Sequence, residues 1–178
     1  MTELIALGGN DYWILLGALT LARAADFLST WIATPSLAME ANPLARWLGW
    51  KWGILFNAAL CVGIAIWPFG AIVLTTASVL VAARNFQSAW LIRAMGEQNY
   101  ATMIAVEGGR AGRGLYAFCM LSQAALVALV GAAVVYFAGR DLIQISIGGG
   151  IVAYGVIVGF YSLLSVWQIR RRLAPARK

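Results

Sequence analysis

Five stretches of this chain are long and apolar enough to read as membrane spans: Tyr12 to Ala33, Trp52 to Trp67, Ala71 to Ala94, Leu115 to Ala138 and Leu142 to Gln168. About 20 apolar residues cross a hydrocarbon core, where backbone N–H and C=O groups have no water to bond and must pair internally. The fold class expected is therefore all-α, a polytopic transmembrane helical bundle of about five spans. Residues 1–178 form a single integral membrane domain with no room for a separate soluble one. Composition agrees, since 62% of residues are hydrophobic and 11% charged, far from the roughly 25% charge of soluble domains. The second stretch is short, and Pro68-Phe69-Gly70 divides it from the third as a tight turn. A re-entrant hairpin of spans two and three stays open as an alternative.

Basic residues set the orientation. With the C-terminus in the cytoplasm, that side holds Arg46, Lys51, Arg93, Arg110, Arg113, Arg170, Arg171, Arg172, Arg177 and Lys178, and the other side only Arg140. Five spans then put the N-terminus outside, and a cell inner membrane is the expected location. The eight tryptophans fall near the predicted segment ends, where indole rings prefer to sit. The basic C-terminal run reads as a stop-transfer flank that also attracts anionic lipid. In a chain of this kind a formal charge of +6 is topology, so no nucleic-acid partner is expected.

The absence of histidine removes the usual imidazole base and the commonest metal and haem ligand. No cofactor and no metal site are expected. Cys61 and Cys119 sit inside apolar runs and read as small hydrophobes. The N-terminal MTELIALGGNDYW has no basic region before its apolar stretch, so no secretory signal is read. Glu107 to Gly114 reads as a flexible basic loop. Gly155 and Gly159 on the fifth span read as helix-packing positions, within the bundle or between protomers.

Ionisable groups at membrane depth need partners or a wet cavity, and three qualify: Arg23, Asp26 and Arg84. Arg23 and Asp26 are three apart on one helix and can neutralise each other. Asp26 and Thr30 share a face, extended by Ala18 and Ala22. On the third span Thr75, Ser78, Ala82, Asn85 and Ala89 make a second small or polar stripe. Counted from the inner ends at 1.5 Å per residue, Asp26 lies about 9 Å deep, Asn57 about 8 Å and Asn85 about 14 Å, with Ser122 and Gln123 at similar depth. A cavity open to the inner side competes here with a satisfied structural network. After span one, Thr34-Pro35 and Asn42-Pro43 each read as the capped start of a short interfacial helix. Glu40 is close enough in sequence to fold back toward Asp26 or Arg84.

Asp26-Phe27-Leu28-Ser29-Thr30, Glu40-Ala41-Asn42-Pro43-Leu44 and Ala83-Arg84-Asn85-Phe86 together resemble a family of small, functionally uncharacterised bacterial and archaeal membrane proteins. That family has a D-x3-T helix, an E-x-N-P-L loop and a later intramembrane Asn. The resemblance covers about residues 20 to 90. It implies that Asp26, Thr30, Glu40, Asn42, Pro43 and Asn85 form one constellation, and it implies no activity. Spans four and five have no counterpart in it.

The ligand- or ion-binding candidates are Asp26, Thr30, Glu40, Asn42, Arg84 and Asn85. Three functions fit them. The favoured one is a non-enzymatic accessory, scaffold or binding subunit, with membrane lipids and a membrane-protein partner or second copy as its partners. The second is a small transporter or channel built on the polar layer. The third is an intramembrane enzyme acting on a lipid or isoprenoid, with Asp26 or Glu40 as base and Arg84 on a phosphate. No nucleophile-and-base arrangement supports catalysis, so the chain leans away from an enzyme.

Overall fold

The computed structural model describes residues 4–40 and 42–173, without the side chains of residues 113 and 165–173. It is all-helical, with six helices among the described residues: α1 Asn10–Ala33, α2 Pro43–Ile64, α3 Pro68–Met95, α4 Glu97–Arg110, α5 Arg113–Phe137 and α6 Leu142–Leu173. Five of them, all but α4, are long and apolar enough to cross a membrane. Large apolar side chains such as Ile14, Leu21, Leu126, Leu129 and Phe160 stand exposed around the outside, as a surface meeting lipid requires. The basic run from Arg170 to Lys178 lies outside the described side chains.

Three stretches differ from the sequence reading. Glu107 to Gly114 is not a flexible loop, because Glu107 to Arg110 is the last turn of α4. Arg110 bridges Glu107 at 2.8 Å, three residues back, and buried Gly108 brings the helix close to its neighbours. Thr34 does not open a helix. It caps the C-terminal end of α1, donating its N–H to the Thr30 carbonyl at 2.7 Å, and the chain then turns through Leu37 with no helix among the described residues between Thr34 and Asn42. Asn42 does cap a short helix as expected, accepting from the Leu44 N–H at 3.0 Å. That helix is separated from span two by a break at Gly49 (φ 62°, ψ −171°), a backbone conformation that essentially only glycine adopts. Beyond the break span two runs to Ile64, short of the expected Trp67. Ala18, expected on the buried strip of α1, is exposed, and Leu19 is buried in its place.

The bundle has a tight part and a loose part. α1 and α3 run parallel, as Arg23 meets Ser78 and Thr30 meets Asn85 further along. α3 and α6 are parallel too, and a Cβ at Gly150 would come within 2.7 Å of the Val73 carbonyl. α5 returns antiparallel to α6. At Gly155 a Cβ would stand 2.9 Å from the Ala124 carbonyl and Ala128 Cβ, and at Gly159 it would be 3.5 Å from Ala124 Cβ. Both glycines thus pack inside the bundle, where the lack of a side chain lets backbones approach. α2 is the loose element. Its buried residues are Gly53 and Cys61, and it is tied to α1 mainly by polar links and by Phe27 against Trp50, centroids 6.2 Å apart.

Candidate functional site

Arg23 is the hub of the polar layer. Its Nη1 donates to Asp26 Oδ2 at 2.7 Å and to Ser78 Oγ on α3 at 3.2 Å, while Nε donates to Asn57 Oδ1 on α2 at 2.8 Å. Nη2 also reaches Asn57 Oδ1. The guanidinium lies 5.9 Å from the Phe27 ring centroid. One side chain thus neutralises an acid and joins three helices. Asn57 in turn donates Nδ2 to the Gly53 carbonyl at 2.9 Å, which fixes its oxygen toward Arg23.

One turn further along, Asn85 donates to Thr30 Oγ1 at 3.1 Å and to Ser29 Oγ at 3.3 Å. Ser29, fully buried, passes its own proton to the Asp26 carbonyl at 2.8 Å. These bonds are the structural use of the two polar stripes, and among the described residues no buried side-chain N or O lacks a partner.

Beside this network is a cavity of about 930 Å³. Asp26, Thr30, Glu40, Asn42, Arg84 and Asn85 all contribute to its wall. They do not play equal parts. Asp26 is held by Arg23, Asn85 and Thr30 by each other, and Asn42 by its cap on α2. Glu40 accepts from the Asn42 N–H at 2.8 Å and stands near enough to Asp26 for the two carboxylates to interact. Arg84 is different, since among the described residues its guanidinium has no hydrogen-bond or ion-pair partner. Ser122 and Gln123 are absent from the wall, and α5 supplies Tyr116 and Met120 instead.

The cavity's shape follows from the loose packing of α2. Both α2 and α6 line it, yet they make no contact with each other among the described residues. It is therefore a cleft walled by α1, α3, α2 and α6, with Phe56 on its α2 side and Phe160 on its α6 side. Four tyrosines, Tyr100, Tyr116, Tyr154 and Tyr161, also line it. The sequence reading missed these four. A tyrosine facing a cleft looks the same in sequence as one at a membrane interface, and only the seven-residue spacing of Tyr154 and Tyr161 placed two of them on one face.

α4 closes one end of the bundle, and its first residue ties it down. Glu97 Oε2 accepts from the Thr34 hydroxyl at 2.8 Å and the Ser36 hydroxyl at 2.5 Å. Partial burial pushes the Glu97 carboxyl up. The Ser36 and Thr34 hydroxyls and the Ser36 and Ala38 N–H groups outweigh that and hold it below its ordinary value. Tyr100, one turn on, reaches the cleft wall, so the clasp fixes one edge of the site. Among the described residues no cluster of three metal-ligating side chains occurs, and Cys61 and Cys119 are free thiols on different helices. Comparison with known protein families, curated proteins and solved structures finds no match to this chain.

Proposed function

We propose that this is a membrane protein that admits an amphiphile sideways from the bilayer and binds it non-covalently in the cleft between α2 and α6. The observation that carries this reading is the gap between α2 and α6 beside a polar layer at depth. A cavity of about 930 Å³ is at the upper end of the roughly 300–1,000 Å³ of ligand sites, and its wall mixes apolar side chains with polar and charged ones, as an amphiphile needs. A bundle whose polar residues were purely structural has no need of a cleft beside them. Catalysis has less support, because Asp26 is ion-paired with Arg23. The segments that resemble the uncharacterised family, residues 20 to 90, line α1, the following loop, α2 and α3 around the cleft, which supports reading them as one ligand constellation.

The excess of basic residues on the C-terminal face supports a cytoplasmic C-terminus in an inner membrane, tested by reporter fusions at the two termini. The binding reading is tested by native mass spectrometry of protein released in mild detergent. One amphiphile should survive delipidation in the wild type and be lost in Ser88→Phe, which fills the cleft. An empty wild type, or equal retention in both, refutes it.

A further inference from the structure

Sorting the polar groups on the cleft wall singles out one cation. Arg23 and Asp26 cancel each other. Asn57, Asn85 and Thr30 are bonded within the protein, and Glu40 accepts the Asn42 N–H while keeping its negative charge. What remains without a partner among the described residues is Arg84 together with the hydroxyls of Tyr100, Tyr116, Tyr154 and Tyr161. A guanidinium donates only, and a tyrosine hydroxyl donates readily to an anion. A lone guanidinium at membrane depth is costly unless something neutralises it.

Register places one of the tyrosines near it. Gly150 of α6 abuts Val73 of the parallel α3. Tyr161 and Arg84 each lie eleven residues further along their helices, so equal rise puts them at one depth. Both belong to the wall of the same cleft.

We infer that the ligand's polar end is an oxyanion, a phosphate or carboxylate, seated on the Arg84 guanidinium with the Tyr161 hydroxyl at the same depth. This rests on the amphiphile reading above and names its ligand class. The planar fork of arginine matches two oxygens of such a group, and the apolar tail lies along Phe56 and Phe160 toward the gap between α2 and α6. The Glu40 carboxylate lines the same cleft and acts electrostatically on Tyr161, so the Arg84 guanidinium has to outweigh its repulsion of a negative ligand.

The test measures binding of dodecyl phosphate, dodecanol, dodecyltrimethylammonium and inorganic phosphate to the purified full-length protein by calorimetry in maltoside micelles. Dodecyl phosphate should bind at least tenfold tighter than dodecanol or the cation, a difference of about 1.4 kcal/mol. Arg84→Gln should erase that preference while leaving dodecanol binding unchanged, and Arg84→Lys should retain part of it. Should Arg84→Gln fail to fold, Tyr161→Phe carries the test, with dodecyl phosphate weakened roughly tenfold and dodecanol unaffected. Equal binding of the three amphiphiles, or a phosphate preference that survives in Arg84→Gln, overturns the oxyanion assignment and leaves the amphiphile reading standing. Inorganic phosphate binding as tightly as dodecyl phosphate supports Arg84 as an anion site and overturns a membrane source. No amphiphile binding at all overturns both.

Discussion

Removing the Asp26 carboxylate strands the charge of Arg23, and the size of that effect follows from the geometry. Breaking a buried pair by deleting one partner costs about 3–5 kcal/mol. The side chains here are 22% and 16% exposed, toward the cleft, so screening reduces the expected cost of Asp26→Ala to about 2 kcal/mol. Arg23→Ala should cost about 3 kcal/mol, because it strands the acid and also releases Asn57 and Ser78, each bond contributing about 0.5–1.5 kcal/mol. The double variant buries no lone charge and should cost no more than about 2 kcal/mol. The two substitutions are thus expected to be non-additive by at least about 3 kcal/mol. The assay is reversible unfolding in bilayer nanodiscs by steric trapping, applied to all four members of the cycle. Additivity within about 0.5 kcal/mol would show that the pair carries no coupling.

Gly155→Val should destabilise the α5–α6 contact by about 1–3 kcal/mol, because its Cβ would stand 2.9 Å from the Ala124 carbonyl and Ala128 Cβ; Gly159→Ala, at 3.5 Å, should be near neutral, and thermal melts of the two variants compare them directly. Gly49→Ala should cost about 1–3 kcal/mol from backbone strain, since nothing lies within 4 Å to clash; an unchanged melt would mean that α2 straightens. The Glu97 clasp is pH-dependent with a fixed sign: its folded pKa is lowered, so its contribution is present above the unfolded value, about 4.3, and is lost as pH falls through the folded value. Protection factors of the α4 amides, corrected for the intrinsic exchange rate, should therefore fall on acidification, and Glu97→Gln should show lower protection at neutral pH with little further change in acid.

The five spans were legible because their cause is local. A long apolar segment in lipid has to satisfy its backbone internally, whatever its neighbours do, and Asn42-Pro43 and Pro68 carry their own start signals. The Arg23–Asp26 pair was legible for the same reason, being three residues apart on one helix. The break at Gly49 was not, because a glycine in a helical stretch does not announce which backbone conformation it takes. α4 was missed because its stability comes from the Glu97 clasp to Thr34 and Ser36, more than sixty residues away in the chain.

Sequence by itself determined which segments span, the facing of the α1 and α3 stripes, and a short roster of polar residues at depth. Only the tertiary structure decided how that roster divides: Asp26, Thr30 and Asn85 into bonded partners, Asn42 into a helix cap, and Arg84 into a cation facing a cleft. That division depends on which helices touch. The gap between α2 and α6 is set by the glycine contacts that draw α6 to α3 and α5 and by the lack of any such contact with α2, a pairwise property that no single helix carries in its own residues.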